Sequence, residues 1–165
     1  KTSLIRYHLT RQIVGTPTFM YKADKLKEMG GFIDARMGQE FYLMLNTINK
    51  GMKIRYFDDC DVIAYRHNSG GISQGRNKID GAKEIYNFKK QYFNLDILSA
   101  EGKRFIKFRH YAVMSVAYKR NKNFTSLLNA FIMFLVSPAN TFKESSRLIK
   151  NVIKHRKIIK NESCQ

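Results

Sequence analysis

Cysteine is scarce in this chain, and what there is sits apart: Cys60 lies mid-chain and Cys164 is the penultimate residue. That spacing excludes a disulfide framework and the paired spacing of a zinc site, and it fits a reducing compartment. Long apolar runs are also missing. The longest, Ala130 to Val136, falls far short of the ~20 residues needed to cross a bilayer. No secretory leader pattern opens the sequence, and its first residue is Lys rather than Met, so it reads as a piece of a longer protein. Acids are few, 13 Asp and Glu against 30 Lys and Arg.

The 165 residues are enough to bury one core, and an aromatic content of 13% argues against a disordered chain. The net charge of +17 calls for an anionic partner: nucleic acid, acidic lipid or a phosphorylated substrate. Most of that charge is concentrated. Lys103 to Lys160 holds 14 Lys and Arg against the single acid Glu144, a net +13, whereas residues 1–102 are close to an ordinary mixed surface. Composition changes near Ser99–Gly102, so the chain divides into residues 1–98 and 99–165.

In the first part, Gln12 to Tyr21 reads as a strand that Pro17 demotes to an edge or bulge. Asp24 can cap a short helix that Gly30 ends. Phe41, Met44, Leu45 and Ile48 mark a helix over Gln39–Asn49 with Gly51 as its stop. Met52 to Phe57 alternates apolar and basic residues as a half-buried strand does, and Asp61 to Arg66 reads as a second strand. A Gly- and Ser-rich loop follows, then a helix from Ile79 or Asp80 carrying Ile85, Phe88 and Tyr92. Three helical patterns complete the chain: about Arg104–Lys119, Phe124–Val136 before Pro138, and Thr141–Lys160. The expected class is α/β in front and all-helical behind.

One ordered set of short motifs stands out: Gly15-Thr16-Pro17-Thr18, Gly30-Gly31-Phe32, Gly38-Gln39-Glu40-Phe41, Tyr65-Arg66-His67 and Gly71-Ile72-Ser73. In order and spacing the set resembles the C-terminal, acceptor-side half of family-2 glycosyltransferases of the GT-A fold. The resemblance runs from Ile13 to Ser73, continues more loosely to Phe93, and leaves the basic last third uncovered. It implies that residues 1–98 form the acceptor-side part of a GT-A, Rossmann-like domain, followed by a basic amphipathic helical extension. It also implies that the donor-side half lies outside these residues, and that this chain alone does not turn over.

Carried over by position, the resemblance makes Glu40 the catalytic base. An inverting transfer needs a carboxylate to take the proton of the attacking acceptor hydroxyl, and a helix N-terminus favours negative charge. The family's acidic pair reads Gln39-Glu40 here, so Gln stands for the first acid and Glu for the second. His67 matches a histidine that holds the metal or the donor diphosphate, and imidazole suits an Mn²⁺-like ion. Arg66, Arg76 and Lys78 are placed to close over the diphosphate, and Gly15, Thr16 and Gln39 to line the sugar pocket. The implied cofactor is a divalent metal, Mn or Mg, whose main Asp-x-Asp ligands belong to the missing half. Asp59-Cys60-Asp61 has that spacing but follows the Gln39-Glu40 helix instead of preceding it, so these read as turn acids. No glycine pair here has the P-loop pattern.

The implied partners are a nucleotide-sugar donor and a glycan or lipid-linked acceptor, as in capsule or polysaccharide synthesis by bacteria. The last helices, with Phe131 to Leu135 beside Lys150, Lys154, Arg156 and Lys157, suit an anionic membrane surface. That places the protein in the cytoplasm, peripheral on the inner face of the cell membrane, with self-association open if an apolar face is uncovered. The alternatives are a basic nucleic-acid-binding module, for which no zinc-finger, helix-turn-helix or RNA-binding signature is present, and a non-catalytic membrane adaptor.

Overall fold

The computed structural model describes residues 1–15, 18–56 and 75–147. Seven helices account for most of them: α1 (Thr2–Arg11), α2 (Ala23–Glu28), α3 (Gln39–Asn49), α4 (Gly75–Lys90), α5 (Ala100–Arg120), α6 (Thr125–Val136) and α7 (Pro138–Arg147). The expected α/β, Rossmann-like architecture does not hold, because the described residues are 68% helical and contain no strand.

The two strand expectations that fall on described residues fail for separate reasons. After α1 the chain turns at Gln12, whose φ is 52°. Thr18 then closes a local turn on Gly15: its hydroxyl donates to the Gly15 carbonyl at 2.7 Å and accepts from the Gly15 N–H at 2.9 Å. Backbone groups that a ladder would use are spent within four residues. Over Met52–Tyr56 the alternation has no buried face behind it, since Ile54 is 43% and Tyr56 82% exposed, and no second strand lies beside it among the described residues. The strand expected over Asp61–Arg66 lies outside the described residues.

The helices have legible starts and stops. Helix α2 ends in a Schellman pair, Gly31 N–H to the Leu26 carbonyl and Gly30 N–H to that of Lys27, with both glycines at positive φ. Helix α3 ends the same way, with Gly51 at φ 70° and Met52 N–H bonded to the Thr47 carbonyl. Ser99 caps α5 by accepting from the Gly102 N–H at 3.1 Å. Pro138 occupies the first position of α7, where its missing N–H is of no consequence, and α7 turns 117° from α6.

Helix α3 supplies half of the buried residues of the main core. Phe41, Met44, Leu45 and Ile48 meet Ile5 and Leu9 of α1, Leu98, and Ile106 of α5 in one core, with Phe41 and Leu9 fully buried. Ile106 belongs to the last third of the sequence, so the two parts share this core. A second cluster joins Ile79 and Ala82 of α4 to Met114 and Ala117 of α5. The segment between α1 and α3 is tied down by Tyr21 to Thr47 (2.7 Å) and by Asn46 to the Met29 carbonyl (3.2 Å). Helices α5 and α6 are locked by reciprocal bonds, Ser115 Oγ to the Ser126 carbonyl and Ser126 Oγ to the Ser115 carbonyl.

Candidate functional site

Glu40 occupies the first turn of α3, and the route to that position is set by glycine. Gly38 is the N-cap, with φ 76°. A Cβ there would lie 2.5 Å from Ile85 Cδ1, so both the left-handed backbone and the approach of α4 require its absence. The carboxylate of Glu40 is half-buried and accepts from Gln12 Nε2 at 3.4 Å. The same amide reaches the Val14 carbonyl at 3.2 Å, so it clips the Gly15 segment to the start of α3. Gln39, beside it, turns back to donate to the Ala35 carbonyl at 3.1 Å. Gly15 is half-buried but has open space where a Cβ would stand, so close packing does not explain the glycine. Thr16, Arg66 and His67 lie outside the described residues.

Arg76 and Lys78 stand on the first turns of α4. Arg76 lines a groove of about 340 Å³ with Lys83, Asp80 and Tyr118. Asp80 is engaged by Arg36 at 3.2 Å. Burial lowers the Lys78 pKa, helped by the charge of Arg120. This groove shares no lining residue with the smaller cleft that Gln12 borders, and Lys78 and Glu40 line neither.

That smaller cleft, of about 150 Å³, opens between the end of α1, α4 and α5. Arg11, Gln12, Lys89, Arg109 and His110 bring its polar groups, and Met37, Ile85, Ile106 and Val113 are among its apolar walls. Lys89 lies 4.7 Å over the Phe41 ring and Arg11 4.1 Å over that of Phe105, contacts that fix where each cation stands. Burial, reinforced by Arg109, lowers the Lys89 pKa to about 8. His110 stacks on Tyr86 at 4.0 Å, and burial brings its pKa to about 4 against an opposing hydrogen bond that the ring donates to the Ala82 backbone. It is therefore a neutral ring at pH 7.

Sequence reasoning missed Lys89, Arg109 and Gln12. A signal for the first existed: Ala82, Ile85 and Lys89 fall on one helical stripe, which puts a lysine on the apolar side of α4. It also missed His8, fully buried and stacked on Phe41 at 4.6 Å. Its Nδ1 accepts from the Ile13 N–H, so Nε2 carries the proton and donates to the Phe41 carbonyl at 2.9 Å. Burial lowers its pKa. His8 is thus a structural tie between α1 and α3.

Among the described residues no three His, Cys, Asp or Glu side chains gather as metal ligands. His8 and His110 are both committed to backbone partners and aromatic faces. His67, the one metal ligand that the resemblance assigns to this chain, lies outside the described residues. No family model, no curated protein and no solved structure matches the chain.

Proposed function

We propose that this chain supplies the acceptor-side base of a sugar transferase. In this reading Glu40 takes the proton of an acceptor hydroxyl as its oxygen bonds to the anomeric carbon of a nucleotide-sugar. The bond from that carbon to the diphosphate breaks, and the nucleoside diphosphate leaves with the electron pair. The observation that carries the reading is the placement of Glu40: a half-buried carboxylate on the first turn of α3, clipped by Gln12 to the Gly15 segment. A base must be aimed at one proton, and Gly38 and Gln12 hold the backbone and the side chain that do the aiming. The order of the Gly15, Gly30-Gly31-Phe32 and Gln39-Glu40 motifs supports the same assignment. The acceptor in this reading is a glycan or a lipid-linked glycan, and the full-length protein provides the donor-side half.

A specific observation favours an anionic membrane as the surface on which this happens. Helix α6 carries no charged residue, and Leu127, Leu128, Phe131 and Leu135 are each at least 58% exposed, with Phe124 and Phe142 flanking them. Among the described residues no single helix is long and apolar enough to cross a membrane, and the bend between α6 and α7 suits a hairpin lying in the interface. An uncharged apolar face is the wrong surface for nucleic acid, whose phosphates demand cations.

Glu40→Gln in the full-length transferase tests the base. Transfer should fall by about 10²–10⁴-fold while the nucleotide-sugar still binds. Transfer that survives this change removes Glu40 from the role.

A further inference from the structure

We propose that the cleft between α1, α4 and α5 binds a phosphate or diphosphate group, with Arg11, Lys89 and Arg109 as its cationic ligands. Each helix contributes one cation to a single space, and no carboxylate lines it. Glu40 does not line the cleft, and Gln12, which does, donates to its carboxylate at 3.4 Å. Neither Lys89 nor Arg109 makes an ion pair within 4.0 Å with any described carboxylate.

A desolvated ammonium without a counter-ion is an unusual element of a helix–helix seam, because burial penalises its charge. Lys89 is held on the Phe41 ring beside a second cation, and its lowered pKa records that penalty. An anion seated between Lys89 and Arg109 reverses both terms. Two guanidinium groups present planar forks matched to phosphoryl oxygens, and an ammonium adds a point charge. The apolar walls from Met37, Ile106 and Val113 strengthen each charge interaction by lowering the local dielectric. The cleft, of about 150 Å³ and open to solvent on one side, takes a phosphate or diphosphate group with the rest of its carrier outside. Gln12 borders both this cleft and the Glu40 carboxylate, but the three cations take no part in the step assigned to Glu40.

Calorimetric titration of the full-length protein with inorganic pyrophosphate at about 0.15 M salt tests the proposal. A saturable site that depends on Lys89 and Arg109 is expected, distinct from any uptake by the donor-side half, which the Lys89 and Arg109 variants leave unchanged. Lys89→Met and Arg109→Gln should each weaken it by about 10–100-fold, the loss of one charge-assisted contact. Lys27→Met, which removes an exposed cation of α2, should leave it unchanged. Far-UV circular dichroism checks that the variants fold, and Arg109, whose side chain is exposed, carries the test if Lys89→Met does not. Absence of saturable binding, or an equal loss in Lys27→Met, overturns the proposal. Displacement by a soluble nucleoside diphosphate assigns the site to a soluble ligand. Displacement only by an isoprenoid diphosphate in neutral vesicles assigns it to a lipid carrier, and displacement by neither overturns the assignment to a diphosphate-bearing ligand.

Discussion

Replacing Gly38 by Ala tests the local geometry that aims Glu40. Two terms oppose the new methyl. An L-residue at φ 76° sits in the left-handed region, at about 1–2 kcal/mol. The methyl would also stand 2.5 Å from Ile85 Cδ1 and 3.4 Å from its Cγ1. Overpacking runs to about 1–3 kcal/mol, and the low end applies because Cδ1 is the free end of a side chain that can rotate. The sum is about 2–3 kcal/mol. With a urea slope of about 1–3 kcal/mol/M, the unfolding midpoint should fall by about 0.7–3 M. The two terms separate in a double-mutant cycle. Ile85→Val deletes Cδ1 and alone costs about 0.5–1.5 kcal/mol. In that background Gly38→Ala should lose only the backbone term, giving a coupling of about 1 kcal/mol. Equilibrium urea unfolding followed by far-UV circular dichroism reads all four proteins. A single mutant within 0.5 kcal/mol of wild type, or a coupling near zero with the full loss retained, would refute the close approach of α4 to the start of α3.

Acid should destabilise the protein through His110. Its folded pKa of about 4 lies below the ordinary 6.5, so the unfolded chain takes up the proton first. The stability contributed by the neutral ring is complete above about pH 6.5 and is lost as pH falls towards 4, by well under the roughly 3 kcal/mol of a fully buried ring, because His110 is partly exposed and solvent screens its charge. His110→Phe, which keeps a ring against Tyr86, should flatten that limb in urea unfolding at successive pH values; a wild-type curve equally flat there contradicts the assignment. For the apolar hairpin, the protein should sediment with anionic vesicles, and Leu128→Lys with Phe131→Lys should reduce that by at least tenfold. Equal sedimentation with neutral vesicles, or an unchanged double variant, defeats the membrane reading.

The helices were legible where glycine, serine and proline punctuate a periodic apolar pattern. Helix α3 runs over Gln39–Asn49 as its spacing indicates, because Gly38 and Gly51 fix both ends with backbone that other residues resist. Helices α5 and α6 follow their patterns to within a few residues at each end. Helix α1 gave little signal, since two of its three buried residues, Ile5 and Leu9, are apolar and the third is His8. The strands failed because alternation is evidence only when a neighbouring strand and a buried face exist, and Ile54 and Tyr56 have no such face. Gln39 and Glu40 stand at the start of α3, where local order put the beginning of that helix. Gln12 was not legible, because its contact with Glu40 spans 28 residues and depends on where α1 ends.

The positive charge of the last third also divides differently in space than along the chain. In sequence it reads as one basic block beside apolar residues, and a single membrane-facing role covers both. In the structure the two properties part. The exposed apolar face belongs to α6, which has no charge at all. The preceding helix, α5, carries cations, and one of them, Arg109, lines the cleft where Lys89 and Arg11 converge. Lipid contact by α6 therefore rests on apolar area, at about 25 cal/mol per Å² buried, and the preference for anionic lipid rests on the exposed cations of α7, Lys143 and Arg147, not on those of α5. The two roles are separable: Arg109→Gln should leave vesicle binding intact, and Phe131→Lys should leave pyrophosphate binding intact, because neither side chain touches the other's surface.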